Sequence, residues 1–237
     1  TYASDARKMP SESVAREMLK DVLLGTDNKD NLIIVTTFSS HIARLKSIIE
    51  FGQKLNRKII FLGRSLAKYV KAAENIGIVD FSKDVEIVKY GRQIERMLKK
   101  VDKDREKYLL IVTGHQGEPK SVLYKIAKGE FEFDLYPEDS VVFSCRTIPT
   151  PTNIENRDAL ENELKQTGVR IFKDIHQSGH AAREDLRDFI NLVKPKNIIP
   201  AHGTKEMRDA LAGLCTEMGY KTGKNIFLIK DGQKIEL

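Results

Sequence analysis

Tyr108-Leu109-Leu110-Ile111-Val112-Thr113-Gly114-His115-Gln116-Gly117-Glu118-Pro119 joins a continuous apolar run to a glycine-punctuated polar turn. An unbroken apolar run, rather than an alternating one, is what a strand covered on both faces of a sheet requires. The same texture recurs at Leu32-Ile33-Ile34-Val35, at Lys58-Ile59-Ile60-Phe61-Leu62 and at Ser140-Val141-Val142-Phe143-Ser144. Val85-Glu86-Ile87-Val88 alternates instead and reads as an edge strand. Helical spacing fills the gaps. Val14, Met18, Val22 and Leu23 follow a Pro-Ser-Glu-Ser start, and Ile42, Leu45, Ile48 and Ile49 line one face of a second helix. Further helices are expected from Ser65 to Ile76, from Ser121 to Lys128 and from about Asn153 to Thr167. Strands spaced roughly 20 to 30 residues apart with helices between them call for an α/β fold, a parallel sheet flanked by helices. In such sheets ligands bind at the carboxyl ends of strands. Thr36 to Ser40, Gly63-Arg64-Ser65 and Thr113 to Glu118 all fall there.

From Val169 onward the texture changes. A strand over Val169 to Phe172 meets a loop His176 to His180 and a helix Ala181 to Val193. A strand Asn197 to Pro200 ends at Ala201-His202-Gly203, before a helix reaching Gly219. Asn225 to Lys230 and Lys234 to Leu237 flank Asp231-Gly232, the pattern of a hairpin.

Composition narrows the class. Apolar residues make up 41% and charged residues 31% of 237, the balance of a globular protein with a core. No apolar run approaches the roughly 18 residues needed to span a bilayer. The first residues carry no basic-then-apolar leader, so no signal peptide is read there, and the chain starts on Thr1 rather than Met, as a fragment or trimmed chain would. Cys145 and Cys215 have neither CxxC spacing nor a framework, and read as reduced core residues of a cytoplasmic protein. A net charge of +6 favours acidic partners, nucleic acid among them, without requiring any.

Three of the five histidines cluster late: His176, His180 and His202. His180 follows Gly179 and His202 precedes Gly203, and a neighbouring glycine lets backbone approach a ligand closely. Taken singly, each reads as well as a surface or capping histidine. A dinuclear metal site wants five or more His and carboxylate ligands, so this chain would supply a minority of such a shell. The turn at Thr113 to Glu118 offers free N–H groups to a phosphate and a carboxylate that could orient a histidine, or is a plain turn. Ser39-Ser40-His41 opens a helix whose N-terminus could hold an anion, or Ser39 is only its cap.

Four runs taken together are more specific. Thr36-Thr37-Phe38-Ser39-Ser40-His41, Thr113 to Pro119, Ser178-Gly179-His180-Ala181 and Pro200-Ala201-His202-Gly203 resemble, in order and over nearly the whole chain, the ribonuclease J family of β-CASP metallo-β-lactamase ribonucleases, its archaeal form in particular. The resemblance assigns residues 1–168, with a lead-in over 1–30, to a β-CASP domain. It assigns 169–237 to the C-terminal strands and helices of a metallo-β-lactamase αββα fold. It makes Glu118 and His180 catalytic and His202 a zinc ligand. Ser39, Ser40, Gln116, His176, Gln177, Ser178, Gly179, His180 and Ala181 become RNA contacts. The family's His-x-His-x-Asp-His motif is absent from the sequence, and Thr1-Tyr2-Ala3 looks like the stretch following its bridging Asp. The complete enzyme would carry two zinc ions, act as a 5′-to-3′ exoribonuclease with endonucleolytic cleavage as the competitor, and bind RNA through phosphates. A homodimer of the full-length protein is compatible with the resemblance. The fragment itself is expected to be inactive. His115 stands where bacterial members commonly have serine. The alternative is a non-catalytic RNA- or nucleotide-binding Rossmann-like module, which no GxGxxG or GxxxxGK[ST] supports.

Overall fold

A computed structural model describes residues 2–236 and divides into two compact units, Ser13–His176 and a smaller one built from the remaining two ends of the chain. Thr1 and Leu237, which belong to the expected lead-in and hairpin, lie outside the described residues.

The larger unit is a six-stranded, all-parallel sheet. Its strands are β1 (Ile33–Thr36), β2 (Lys58–Leu62), β3 (Val85–Val88), β4 (Tyr108–Val112), β5 (Ser140–Phe143) and β6 (Arg170–Phe172). Their order is β3-β2-β4-β1-β5-β6, so β3 is an edge as its alternation implied, and the apolar run Tyr108 to Val112 is central. Ile33 to Thr36 pair with Leu109 to Val112 on one side and Ser140 to Phe143 on the other.

Successive strand residues point to opposite faces, and each face has its own core. Ile33, Val35, Ile59, Phe61, Leu109 and Ile111 pack against α1 (Glu12–Gly25), α2 (Ile42–Lys54) and α3 (Arg64–Asn75). Ile34, Ile60, Leu62, Leu110, Val112, Val141 and Phe143 meet α4 (Gly91–Val101), α5 (Val122–Ala127) and α6 (Pro151–Gln166) on the other. Helix α4 is absent from the sequence expectations, although Ile94, Met97, Leu98 and Val101 trace an apolar stripe at i, i+3, i+4 and i+7.

Arg44 of α2 is fully buried. Its Nη1 donates to the Ser144 carbonyl at 3.1 Å, to Ser144 Oγ at 2.7 Å and to the Ile175 carbonyl at 2.9 Å. Thr37 Oγ1 donates to the same Ser144 carbonyl at 2.9 Å, and Ser144 Oγ to Ile175 at 2.9 Å. The ends of β1 and β5 and the segment before His176 are thereby bound to one helix. Cys145, just beyond, is buried, and burial pushes its thiol up to about 11.

In the smaller unit, α7 (Arg183–Val193) packs on α8 (Lys205–Glu217) around Ile190, Ala212, Cys215 and Ile226. Asp185 Oδ2 accepts from the Ala182 and Met9 backbone N–H groups, capping α7 and fastening the N-terminal stretch to it. Two sequence expectations change here. Asn197 to Pro200 is a single parallel bridge, Ile198 to Ile226, instead of a strand. The hairpin arms do not pair: Gln233 donates to Lys230 across the Asp231-Gly232 turn, and no ladder follows among the described residues. Ile226 is buried against α7 and α8 instead of facing a second arm.

Arg44→Met keeps the volume but removes the charged donor from the Ser144 and Ile175 carbonyls, leaving them only the Thr37 and Ser144 hydroxyls. Each lost charged hydrogen bond is worth about 1.5–3 kcal/mol. The variant should lose about 3 kcal/mol of unfolding free energy in urea melts; a change below about 0.5 kcal/mol would contradict the tie.

Candidate functional site

The carboxyl ends of β1 and β4 carry the first group of residues. Beyond β4 the backbone turns on two glycines in the left-handed region, Gly114 at φ +128° and Gly117 at φ +75°. A Cβ on Gly117 would stand 2.2 Å from the Asn156 carbonyl oxygen, so the loop lies directly on the backbone of α6. That contact shapes everything the loop presents. Gln116 is buried, its Nε2 donating to the Arg146 carbonyl at 3.0 Å and its Oε1 accepting from Ile148 N–H at 2.7 Å.

Glu118 turns back over the loop. One carboxylate oxygen accepts from the Gln116 N–H at 3.0 Å and the other is 3.4 Å from His115 Nδ1. The His115 ring packs against Phe38 with centroids 4.3 Å apart, and Phe38 also lies 6.4 Å from the His176 ring. Burial holds the His115 imidazole below its ordinary range, the Glu118 charge pulling it back up and Arg157 pushing it further down. The contribution of a depressed histidine to stability is whole above its ordinary value and declines as pH falls below that value toward the folded one. Arg157 donates to the His115 carbonyl at 2.8 Å and to Glu161 at 2.8 Å.

At the β1 end, the helix cap is His41, whose Nδ1 accepts from Arg44 N–H at 3.2 Å, and not Ser39. Ser39 is buried and its hydroxyl pairs with Ser65 Oγ at 3.0 Å, while Ser40 faces solvent. The imidazole reaches the first turn of α2 from two residues further along, which frees the serine to bridge to α3.

The second group lies in the smaller unit. His180 and His202 are both exposed, and their rings stack 5.7 Å apart at 24°. The Ser178 hydroxyl accepts from His180 N–H at 3.1 Å and lies 3.4 Å from its Nδ1, setting the ring's direction. Tyr2 stands 6.4 Å from the His180 ring. A cavity of about 510 Å³ opens beside the pair, with Ala181, Pro200 and Met207 in its walls. Gly203, at φ +117°, carries the chain from His202 toward the Thr204 cap of α8. Gln177, Ser178 and Gly179 form the approach to His180 and belong to this unit; His176 closes the larger one.

The structure thus brings His180 and His202 together, and separately gathers Glu118, His115, Phe38 and His176. Two imidazoles do not make a zinc site, which takes three or four protein donors. Among the described residues no group of three or more His, Cys, Asp or Glu side chains could hold a metal. The residues present do not by themselves fit zinc. Phe38 and Arg44 were not identifiable from the sequence: nothing in the pattern separates Phe38 from core, and Arg44 interrupts an apolar helix face.

Residues 30–162 match the family described as "Ribonuclease J, beta-CASP domain", and residues 159–228 match "Zn-dependent metallo-hydrolase RNA specificity domain". The chain is 44% identical to a "Ribonuclease J" of Pyrococcus abyssi over 237 residues, covering all of this chain and 52% of that protein. Identity to a "Ribonuclease J" of Methanocaldococcus jannaschii is 44% over 227 residues, or 95% of this chain and 51% of that protein. A Helicobacter pylori (strain J99) "Ribonuclease J" is 33% identical over 220 residues, 86% of this chain and 29% of that protein. The chain spans about half the length of the first two relatives. Among the described residues no helix is long and apolar enough to cross a membrane.

Glu118→Gln removes the charge that raises the His115 pKa, so ring-proton NMR should show His115 titrating at still lower pH; an upward move would refute the pairing. Gly117→Ala places a methyl against the Asn156 carbonyl at a strained φ, and should lower the melting temperature where Gly129→Ala, with nothing nearby, lowers it less.

Proposed function

Because the chain belongs to the ribonuclease J β-CASP family, we propose that the protein carrying it is a zinc-dependent ribonuclease J-like hydrolase of RNA phosphodiesters. In this reading the chain contributes RNA-handling surface and a minority of the metal ligands. The observation that carries it is the glycine-flanked, exposed His180–His202 stack, lying within the stretch that matches the RNA specificity domain.

His202 would give one ligand to zinc, two ions in the complete enzyme, with the other ligands coming from outside these residues. Zinc, when bound, would supply the activated hydroxide. The residues present do not complete its shell. What these residues can do is narrower. His180, with Nδ1 steered by Ser178, can hold a proton on Nε2 for the leaving oxygen. Glu118 fixes an imidazole's orientation and charge. Ser39, Ser40, Gln116 and the run His176-Gln177-Ser178-Gly179-His180-Ala181 are assigned to phosphate contacts, which carry no sequence information and suit processive exonucleolytic decay. On this reading 1–168 is the β-CASP part and 169–237 belongs to the lactamase domain. The enzyme works 5′ to 3′ in the cytoplasm, with endonucleolytic cleavage as a side activity and a homodimer as its assembly.

A second reading has one observation in its favour. With fewer than three metal donors gathered among the described residues, the chain alone would be a non-catalytic RNA-binding module.

Incubating the chain with 5′-labelled RNA and added zinc should give no decay, and calorimetry should show only weak zinc binding. Efficient cleavage would overturn the incomplete shell. Absence of RNA binding at low salt would overturn the RNA reading itself.

A further inference from the structure

The carboxyl ends of β2, β3 and β4 open into a second cavity, of about 660 Å³, which the residues assigned above do not explain apart from Glu118 at its margin. It lies wholly within the larger unit. Its walls carry four cations, Arg64, Lys89, Lys120 and Lys125, against that one carboxylate. Lys125 reaches Glu130 at 3.4 Å; no ion pair engages Arg64, Lys89 or Lys120 among the described residues. A protein surface normally intersperses its charges, so a concave wall with three uncompensated cations is a field aimed at an anion.

Backbone adds to that field. Helices α3 and α4 both begin at this cavity, and neither Gly63 nor Tyr90, their caps, supplies a side-chain hydrogen bond to the first turn. Gly63 is held in place rather than flexible: it sits at φ +133°, donates to the Val88 carbonyl at 2.9 Å, and a Cβ there would meet Thr113 at 2.7 Å. The turn therefore keeps its backbone bare where a side chain would have filled the space.

The cavity also has apolar walls suited to a ring. Tyr90 is 60% exposed beside Lys89, and Phe131 is partly buried on the far side. An exposed aromatic next to cations is the arrangement by which proteins hold single-stranded nucleic acid, the ring stacking on a base and the cations on the backbone. A free inorganic anion would make no use of Tyr90.

We propose that this cavity is a nucleotide subsite, binding one phosphate of single-stranded RNA between Arg64, Lys89 and Lys120 and stacking its base on Tyr90. The assignment rests on the RNA reading above and adds a place on the larger unit where the strand is held. The same chemistry would take a free nucleoside monophosphate, so strand and mononucleotide are separate arms of the test.

Binding of a fluorescent oligoadenylate, of AMP and of inorganic phosphate to the chain is measured by anisotropy and calorimetry, with a K89E/K120E double variant and Tyr90→Ala. All three residues are exposed, and thermal melts check that the variants fold. K89E/K120E should weaken oligonucleotide binding about tenfold or more and reduce the slope of log affinity against log salt by about 1, a change that a merely structural role would not produce. Tyr90→Ala should weaken oligonucleotide binding about tenfold while leaving inorganic phosphate unaffected. Loss of AMP binding in parallel would make the cavity a site for the mononucleotide as well; AMP indifferent in every protein would restrict it to the strand. Oligonucleotide binding that is strong in the parent and unchanged within about twofold in both variants would overturn the subsite while sparing the RNA reading. No oligonucleotide binding by the parent chain would overturn both.

Discussion

A guanidinium buried where a parallel sheet ends is the tie on which the larger unit's working edge depends. Carboxyl ends of parallel strands leave carbonyls that the ladder does not use, and the loops that follow them have no partner by default. Arg44 gathers the Ser144 and Ile175 carbonyls with three donated bonds from one nitrogen. A hydroxyl or amide could satisfy one of these groups. The long arginine side chain carries that nitrogen from inside a helix to all of them. Its burial is tolerable because its donated bonds end on fixed dipoles.

The loop after β4 obeys a different constraint, that of close approach. Gly117 rests on the α6 backbone, Gly114 presses on Ser121 and Leu123, and Gly63 presses on Thr113. These contacts lock the backbone so that Glu118 can fold over His115, with the imidazole caught between that carboxylate and the Phe38 ring. Charge and packing thus act on the same ring in opposite directions. The smaller unit achieves order more locally, through Ser178 under His180 and Asp185 at the head of α7.

The sheet was legible in the sequence because strands buried on both faces must be apolar throughout, and β1, β2, β4 and β5 are. One edge was legible for the complementary reason, since β3 alternates. Helix α4 escaped notice because its charged residues, Arg92, Glu95, Arg96, Lys99 and Lys100, outnumber the apolar stripe that places it. The late strands failed for lack of strand partners: Ile198 and Ile226 share one bridge, and packing with α7 and α8 buries Ile226 fully and Ile198 in part instead. The site residues were legible in kind but not in arrangement. Spacing could suggest that His180 and His202 are exposed beside glycines, and it could not show that they stack. Nor could it reveal that the histidine Glu118 meets is its near neighbour His115, or that Ser39 bridges to Ser65 and leaves capping to His41.

The strand order carries a consequence for how the chain is made. β1 emerges first and ends between β4 and β5, so one of its edges waits for residue 112 and the other for residue 143. During synthesis an apolar ribbon must persist with both edges bare for 112 − 36 = 76 residues of translation and with one edge bare for 143 − 36 = 107, roughly five to twenty seconds at ordinary elongation rates. Pairings this distant in sequence are slow to close and leave adhesive edges available to other chains. Helices α1 and α2, already complete by residue 54, can shelter one face of that ribbon on the ribosome, but only the later strands can close its sides. Yield in a cell therefore depends on the interval between the first strand and its neighbours, a quantity that no contact in the finished molecule records.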